Sequence, residues 1–138
     1  MKIVILGGTG LIGNALQKSF SSDYQVDCFN RDAFQSVEHL VSIIKGSDLV
    51  IQLSGSTISK RWSQKIMNEM WQSRVDTNKM LSKAVKFMSS KPRVICASGI
   101  SFYAESSCDE PKTEKDPQGD GYLTSLNIAI EDAARSIS

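Results

Sequence analysis

Seven residues near the start of the chain, Gly7-Gly8-Thr9-Gly10-Leu11-Ile12-Gly13, restrict its possible folds more than any other stretch. They join two segments of different periodicity. Residues 2–6 are a continuous aliphatic run, the pattern of a strand covered on both faces. Leu11, Ile12, Ala15, Leu16 and Phe20 recur instead at helical spacing. A glycine-rich turn between such segments has a physical use. One glycine leaves the strand with φ above zero, another lets a ligand approach the main chain, and a third lets the helix pack closely. The helix then begins with free N–H groups and the positive end of its dipole, a seat for an anion such as a diphosphate. No Lys-Ser or Lys-Thr pair follows the glycines, so the turn is not a P-loop.

Residues 24–29 read as a second strand, which completes a βαβ unit in about 30 residues. In that context the turn points to the pyrophosphate of NAD or NADP, held by Gly7, Gly10 and Gly13. Further on, Ser36 is placed to cap a helix that runs to Lys45, with Gly46 just past its end. That leaves 33–35 as a vestigial third strand at most. A strand is expected at 49–53, then the turn Ser54-Gly55-Ser56, then a long helical tract over 64–89 beginning as early as Ser63. Pro92 precedes a strand at 93–97. Residues 98–121 read as loop, and a last helix runs from near Tyr122 to about Ser136. Strands alternating with helices imply an α/β, Rossmann-like doubly wound parallel sheet. Four to five strands are expected, the third vestigial or absent. With no strand after the last helix, residues 1–138 read as one dinucleotide-binding domain lacking further strands and a substrate lobe. An incomplete sheet exposes an edge, so a homodimer is expected.

Composition excludes other classes. The net charge of +1 supplies no basic field for nucleic acid or a membrane surface. No apolar run approaches the roughly 18 residues of a membrane helix, and the apolar start is too short for a signal peptide. Three cysteines, Cys28, Cys96 and Cys108, are an odd and widely spaced set. They argue against a disulfide framework or a zinc site and fit a reducing cytoplasm. Cys28 and Cys96 read as small core residues. The single histidine, His39, lies in an expected surface helix, and no metal site is expected. Asp109, Glu110, Glu114 and Asp116, interleaved with Lys112 and Lys115, read as a soluble loop.

The end of the second strand bears on the choice of cofactor, because the adenosine ribose meets it there. The residues are Asn30-Arg31. Asn30 removes the carboxylate that would repel a 2′-phosphate, and Arg31 offers paired donors to clamp one. NADP is therefore favoured over NAD. The alternative is that Arg31 is solvated and Asp32 supplies the carboxylate.

Taken together, these residues resemble the extended short-chain dehydrogenase/reductases. Beyond the glycine turn the resemblance rests on Leu53-Ser54-Gly55, Arg61-Trp62, Ser73-Arg74-Val75-Asp76-Thr77, Ala97-Ser98 and Phe102-Tyr103. It is nearest to an atypical branch, nucleoside-diphosphate-sugar epimerase-like and labelled "epimerase family protein", and it covers the N-terminal part of such proteins. The resemblance implies that Gly7, Gly10, Gly13 and the backbone of Leu11 and Ile12 hold the pyrophosphate, with Thr9 in the same turn. It places Asn30 and Arg31 at the adenosine ribose, and Leu53, Ser54 and Gly55 against that ribose and its phosphate. Ser98 would lie near the nicotinamide. Family members also carry a Tyr-x-x-x-Lys pair, whose lysine lowers the tyrosine pKa. Here Tyr122 is present, but Leu126 replaces the lysine. Gly99 stands at the usual catalytic serine, one place after Ser98, and Arg74 replaces a usual asparagine.

Two functions follow as expectations. The first is the nucleotide-binding half of an NAD(P)-dependent oxidoreductase or epimerase acting on a sugar-nucleotide or other small carbonyl or hydroxyl substrate, with Tyr122 and Ser98 handling protons. The second is a non-catalytic dinucleotide-binding module. Trp62 and Tyr103 read equally as pocket or packing residues, and Trp71 as core. Phe34 and Gln35 are either a reduced adenine wall or surface loop. The basic cluster Lys60, Arg61 and Lys65 is either a phosphate attractor or a solvated helix start.

Overall fold

The computed structural model describes residues 1–104 and 111–137. Cys108, Asp109 and Glu110 lie outside the described residues. Four strands, β1 (Lys2–Leu6), β2 (Gln25–Phe29), β3 (Leu49–Gln52) and β4 (Arg93–Cys96), form one parallel sheet in the order β2-β1-β3-β4. Leu6 pairs with Phe29 and with Gln52, and Gln52 pairs with Cys96. The carboxyl ends of all four strands are therefore in register, and the loops that leave them gather along one edge.

Helices cover both faces. On one, α1 (Leu11–Phe20) packs Leu16 and Phe20 against Ile3, Ile5 and Ile51. On the other, α2 (Val37–Ile44) brings Leu40 and Ile44 onto Val4, Leu6 and Val50. Adjacent strand residues thus serve opposite layers, which explains why the strands read as unbroken apolar runs. Complete burial of such side chains contributes about 1.5–3 kcal/mol each.

The link between β2 and β3 differs from the vestigial strand expected at 33–35. Residues Arg31–Phe34 form a single 3-10 turn instead. Ala33 donates its N–H to the Asn30 carbonyl at 3.1 Å and buries its methyl in the α2 layer. With its backbone committed to this turn, the segment has no ladder to offer a strand. Ser36 then caps α2, its Oγ accepting from the His39 N–H at 3.1 Å, and Gly46 ends the turn beyond with φ +74°. Because α2 has only two turns, Ser36→Ala is expected to cost about 1 kcal/mol in urea unfolding. No measurable loss would show that tertiary packing alone holds this helix end.

The long tract is interrupted. α3 (Gln64–Trp71) passes through a π-helical turn, Gln72–Asp76, into α4 (Thr77–Lys86). The helical tract therefore stops at Lys86, short of residue 89, and Ser63 is its cap, accepting from the Ile66 N–H. α5 (Gly121–Arg135) packs Leu126, Ile130 and Ala133 against Met70 and Val75. Asn78 on α4 donates to the Ile130 carbonyl, and Ser82 to the Ser136 carbonyl at 2.6 Å. No described helix is long and apolar enough to cross a membrane.

Candidate functional site

The glycine turn sits at the carboxyl edge of β1. Gly7 has φ +89° and donates its N–H to the Phe29 carbonyl at 2.7 Å. A Cβ at Gly7 would lie 2.9 Å from the Leu53 carbonyl carbon and from the Ser54 nitrogen, so the turn is wedged between the ends of β2 and β3. At Gly13, a Cβ would lie 2.6 Å from the Gly7 oxygen and 2.7 Å from the Gly8 Cα. That close approach seats the first turn of α1 directly on the glycine loop. Gly10 is the N-cap, in extended backbone, and no side chain caps the helix. The first N–H groups of α1 are left for another partner. Leu11 and Ile12 turn their side chains outwards, 89% and 60% exposed, so the helix start offers its main chain.

Asn30 braces this turn. Its Oδ1 accepts from Thr9 Oγ1 at 2.9 Å and from the Thr9 N–H at 3.4 Å, while Asn14 Nδ2 donates to the Thr9 carbonyl. An aspartate at 30 could accept the same bonds, but it would place a negative charge beside the groove.

The turn opens into a groove of about 930 Å³, a size suited to a small-molecule ligand. Gly7, Thr9, Gly10, Asn30, Arg31, Leu53, Ser54 and Gly55 all line it. Leu11, Ile12 and Gly13 stand at the helix start and are not among its lining residues. Phe34 forms part of one wall, as the adenine-wall reading required, whereas Gln35 does not. Sequence reasoning missed Ser56, Gln72 and Glu69, which also face the groove, and gave Ser73 and Thr77 only as part of a resemblance. Of the basic cluster, Lys60 lines the groove and Arg61 and Lys65 do not.

Arg74, in the π turn, ties the far wall together. Its Nη2 donates to the Ser56 carbonyl at 2.8 Å, and Ser73 Oγ accepts from the Ser56 N–H at 2.9 Å. A Cβ at Gly55 would lie 2.8 Å from the guanidinium carbon, so the arginine lies flat on the 55–56 backbone. Burial pulls the Arg74 pKa below its ordinary value, against the favourable influence of Tyr122. Two buried atoms beside the Ser54 turn, Gln52 Nε2 and Ser54 Oγ, have no hydrogen-bond partner among the described residues. Gln52 Oε1 meanwhile accepts from the Ser54 N–H at 3.2 Å. Of the two residues only Ser54 lines the groove, so its hydroxyl is the one beside the open, uncapped helix start.

Ser98 and Tyr122 lie elsewhere. Ser98 donates to Glu131 at 2.8 Å, and Tyr122 donates to the Met67 carbonyl at 2.5 Å. No hydrogen bond joins the two. Tyr122 lines a second cavity, of about 1000 Å³, together with Trp62 and Tyr103, and its ring meets Trp62 edge to face at 5.8 Å. Burial raises the phenol pKa above 10, with Arg74 opposing. Leu126 is 2% exposed and belongs to the core, and Trp71 packs against that same cluster. Cys96 is likewise pushed up to about 11 by burial, and burial beside Asp27 raises Cys28. Both read as inert thiols.

Comparison with known proteins agrees with this geometry. The model of the NAD dependent epimerase/dehydratase family matches residues 3–126. The chain belongs to that family. Human epimerase family protein SDR39U1 is 28% identical over 145 aligned residues, covering 98% of this chain and 49% of the relative. Epimerase family protein SSP1921 from Staphylococcus saprophyticus is 28% identical over 113 residues, covering 72% of this chain and 38% of the relative. The chain thus spans about half the length, or less, of the curated relatives it matches. The crystal structure of human SDR39U1 with NADPH superposes with a TM-score of 0.82 at 24% identity, over 98% of this chain and 49% of that one. UDP-glucuronic acid 4-epimerase from Bacillus cereus, in complex with NAD, gives 0.80 at 17% identity, over 99% and 52%. These likenesses establish a Rossmann-like fold.

Proposed function

We propose that this chain is the cofactor-binding part of an oxidoreductase or epimerase of the extended short-chain type, and that the groove at Gly7–Gly13 takes NADP in preference to NAD. The observation that carries the reading is the uncapped start of α1, pressed onto the glycine loop and opening beside the groove. When bound, the dinucleotide supplies hydride transfer. The chain's own residues would grip it. Main-chain N–H groups at 11–13 would face the pyrophosphate, Ser54 and Gly55 the adenosine side, and Arg31 the 2′-phosphate.

The preference for NADP rests on the charges at the end of β2. Asn30 is uncharged, and Arg31 lines the groove without an ion pair among the described residues. Asp32 also lines it, but its Oδ1 accepts from the Asn30 N–H at 3.3 Å. Solved neighbours hold either cofactor, NADPH in human SDR39U1 and NAD in the Bacillus cereus epimerase, so the preference rests on the charges at the end of β2.

Tyr122 and Ser98 remain the proposed proton-handling residues; Tyr122 faces the second cavity, whereas Ser98 is not among its lining residues and would act from its bond to Glu131. A second reading, a binding module without catalysis, is favoured by one specific feature. Leu126 is buried where a lysine would lower the tyrosine pKa, and the Tyr122 phenol stays protonated near neutrality.

Thermal unfolding with each cofactor tests the binding. NADPH at about 100 times its Kd is expected to add about 2.7 kcal/mol, and NADH at the same concentration less. A folded protein with no shift for either would overturn the proposal. Oxidation of NADPH with carbonyl or sugar-nucleotide substrates, lost in Tyr122→Phe, would support the enzyme. Binding without turnover would support the module.

A further inference from the structure

Among the described residues, four charged side chains line the groove: Arg31, Asp32, Lys60 and Glu69. Lys60 and Glu69 form the one ion pair among them, Nζ to Oε2 at 3.6 Å, with side chains 49% and 38% exposed. The pair joins the irregular segment after β3 to the last turn of α3. It lies on the wall formed by the helical tract, apart from the Arg31 turn. We infer that Lys60 is a phosphate-contacting residue of the dinucleotide site, and that Glu69 occupies it until a ligand phosphate takes its place. The inference rests on the groove being a dinucleotide site.

The physical case is a competition for one ammonium. An exposed pair at this distance is held weakly, screened by water and opposed by the entropy of two long side chains. The phosphates of a dinucleotide together carry more charge than one carboxylate and offer more acceptor oxygens for short, charge-assisted bonds. The same phosphate is repelled by Glu69, which faces the same space. Among the described residues, its wall carries two cations and two anions. An anionic dinucleotide gains by drawing Lys60 away and leaving Glu69 to water. The segment that carries Lys60 is anchored at its two ends, at Ser56 by Ser73 and Arg74 and at Trp62 by Tyr122. Between those anchors the side-chain bonds are local, Ser59 N–H to Thr57 Oγ1 and Trp62 Nε1 to the Ile58 carbonyl, so the Lys60 side chain itself does the moving.

The two partners should therefore act in opposite directions on affinity, although they form one pair. Calorimetric titration of wild type, Lys60→Gln and Glu69→Gln tests this with NADPH, NADH and adenosine, after urea unfolding confirms that each variant is folded. Lys60→Gln is expected to raise the NADPH Kd about five- to tenfold, and Glu69→Gln to lower it about three- to fivefold. Adenosine, which has no phosphate, should be indifferent to both. An equal effect of Lys60→Gln on NADH would place the contact at the diphosphate, and an effect confined to NADPH would place it at the 2′-phosphate. Either outcome supports the inference. Unchanged cofactor affinity in Lys60→Gln would overturn it, as would weakening by both variants, the mark of a strut that merely shapes the wall. In either of those cases wild-type binding leaves the dinucleotide site standing. If wild type itself binds neither cofactor, the proposed function falls and this inference with it.

Discussion

Gly13→Val is expected to cost about 3 kcal/mol in urea unfolding and to weaken NADPH binding at least about tenfold. Inside an ordinary helix, replacing glycine by a residue with a side chain relieves an entropic penalty of up to about 1 kcal/mol. Here that gain is outweighed. The new Cβ would sit 2.6 Å from the Gly7 oxygen and 2.7 Å from the Gly8 Cα, both main-chain atoms that no rotamer change can move. Either α1 lifts off the sheet, pulling Leu16 and Phe20 from Ile3 and Ile5, or the glycine loop opens. Both outcomes carry the first N–H groups of the helix away from the groove. Gly46→Ala is the control. Gly46 has φ +74° but nothing within 4 Å of its would-be Cβ. It should lose about 1 kcal/mol from backbone strain alone and bind NADPH as wild type does. If Gly13→Val behaved like Gly46→Ala, the close seating of α1 on the turn would be wrong.

Restoring the lysine that Tyr-x-x-x-Lys proteins carry is expected to damage this chain. Leu126→Lys should cost about 4–5 kcal/mol near pH 7, through a lost leucine and an unpaired ammonium among Met70, Val75 and Ile130. The penalty has a definite pH dependence. Burial would depress the lysine pKa in the folded state below its unfolded value of about 10.4. Between the two values the unfolded chain binds the extra proton. The variant therefore loses stability by about 1.4 kcal/mol per unit as pH falls from about 10.4 to the folded-state pKa, loses no more below that, and keeps only the packing loss above about 10.4. Urea unfolding at pH 7 and pH 10 reads this directly, with Leu126→Met as the volume-matched control. A Leu126→Lys protein equally stable at both pH values would show that position 126 faces water and that α5 is rotated about its axis.

The two halves of the fold differed in how far local sequence could reach. The bounds of β1 and α1 could be read directly, because a two-faced apolar run, a glycine turn and a helical stripe succeed one another without a gap. Ser36 and Gly46 likewise mark the ends of α2 by chemistry within three residues. The π turn at Gln72–Asp76 left no such mark. One extra residue in a helix rotates the downstream side chains by about 100°, while the apolar spacing on either side still reads as helical. The groove residues on that tract were correspondingly missed or only partly seen. At 33–35, an apolar pair between two elements suits a short edge strand and a 3-10 turn equally, and only the buried Ala33 methyl decides. The partners of Tyr122 and Ser98 were hidden for a simpler reason. They are the Met67 carbonyl, 55 residues away, and Glu131, 33 residues away, brought near only by the docking of α5.

Amide chemical shifts followed during titration with ADP-ribose, which carries the diphosphate without the nicotinamide, address the cofactor grip at its source. The expected result is saturable shifts concentrated at the N–H groups of Leu11, Ile12 and Gly13, with smaller ones at Ser54 and Gly55. Saturable binding that leaves residues 11–13 unmoved, or no binding by a folded chain, would contradict a diphosphate seat at the start of α1.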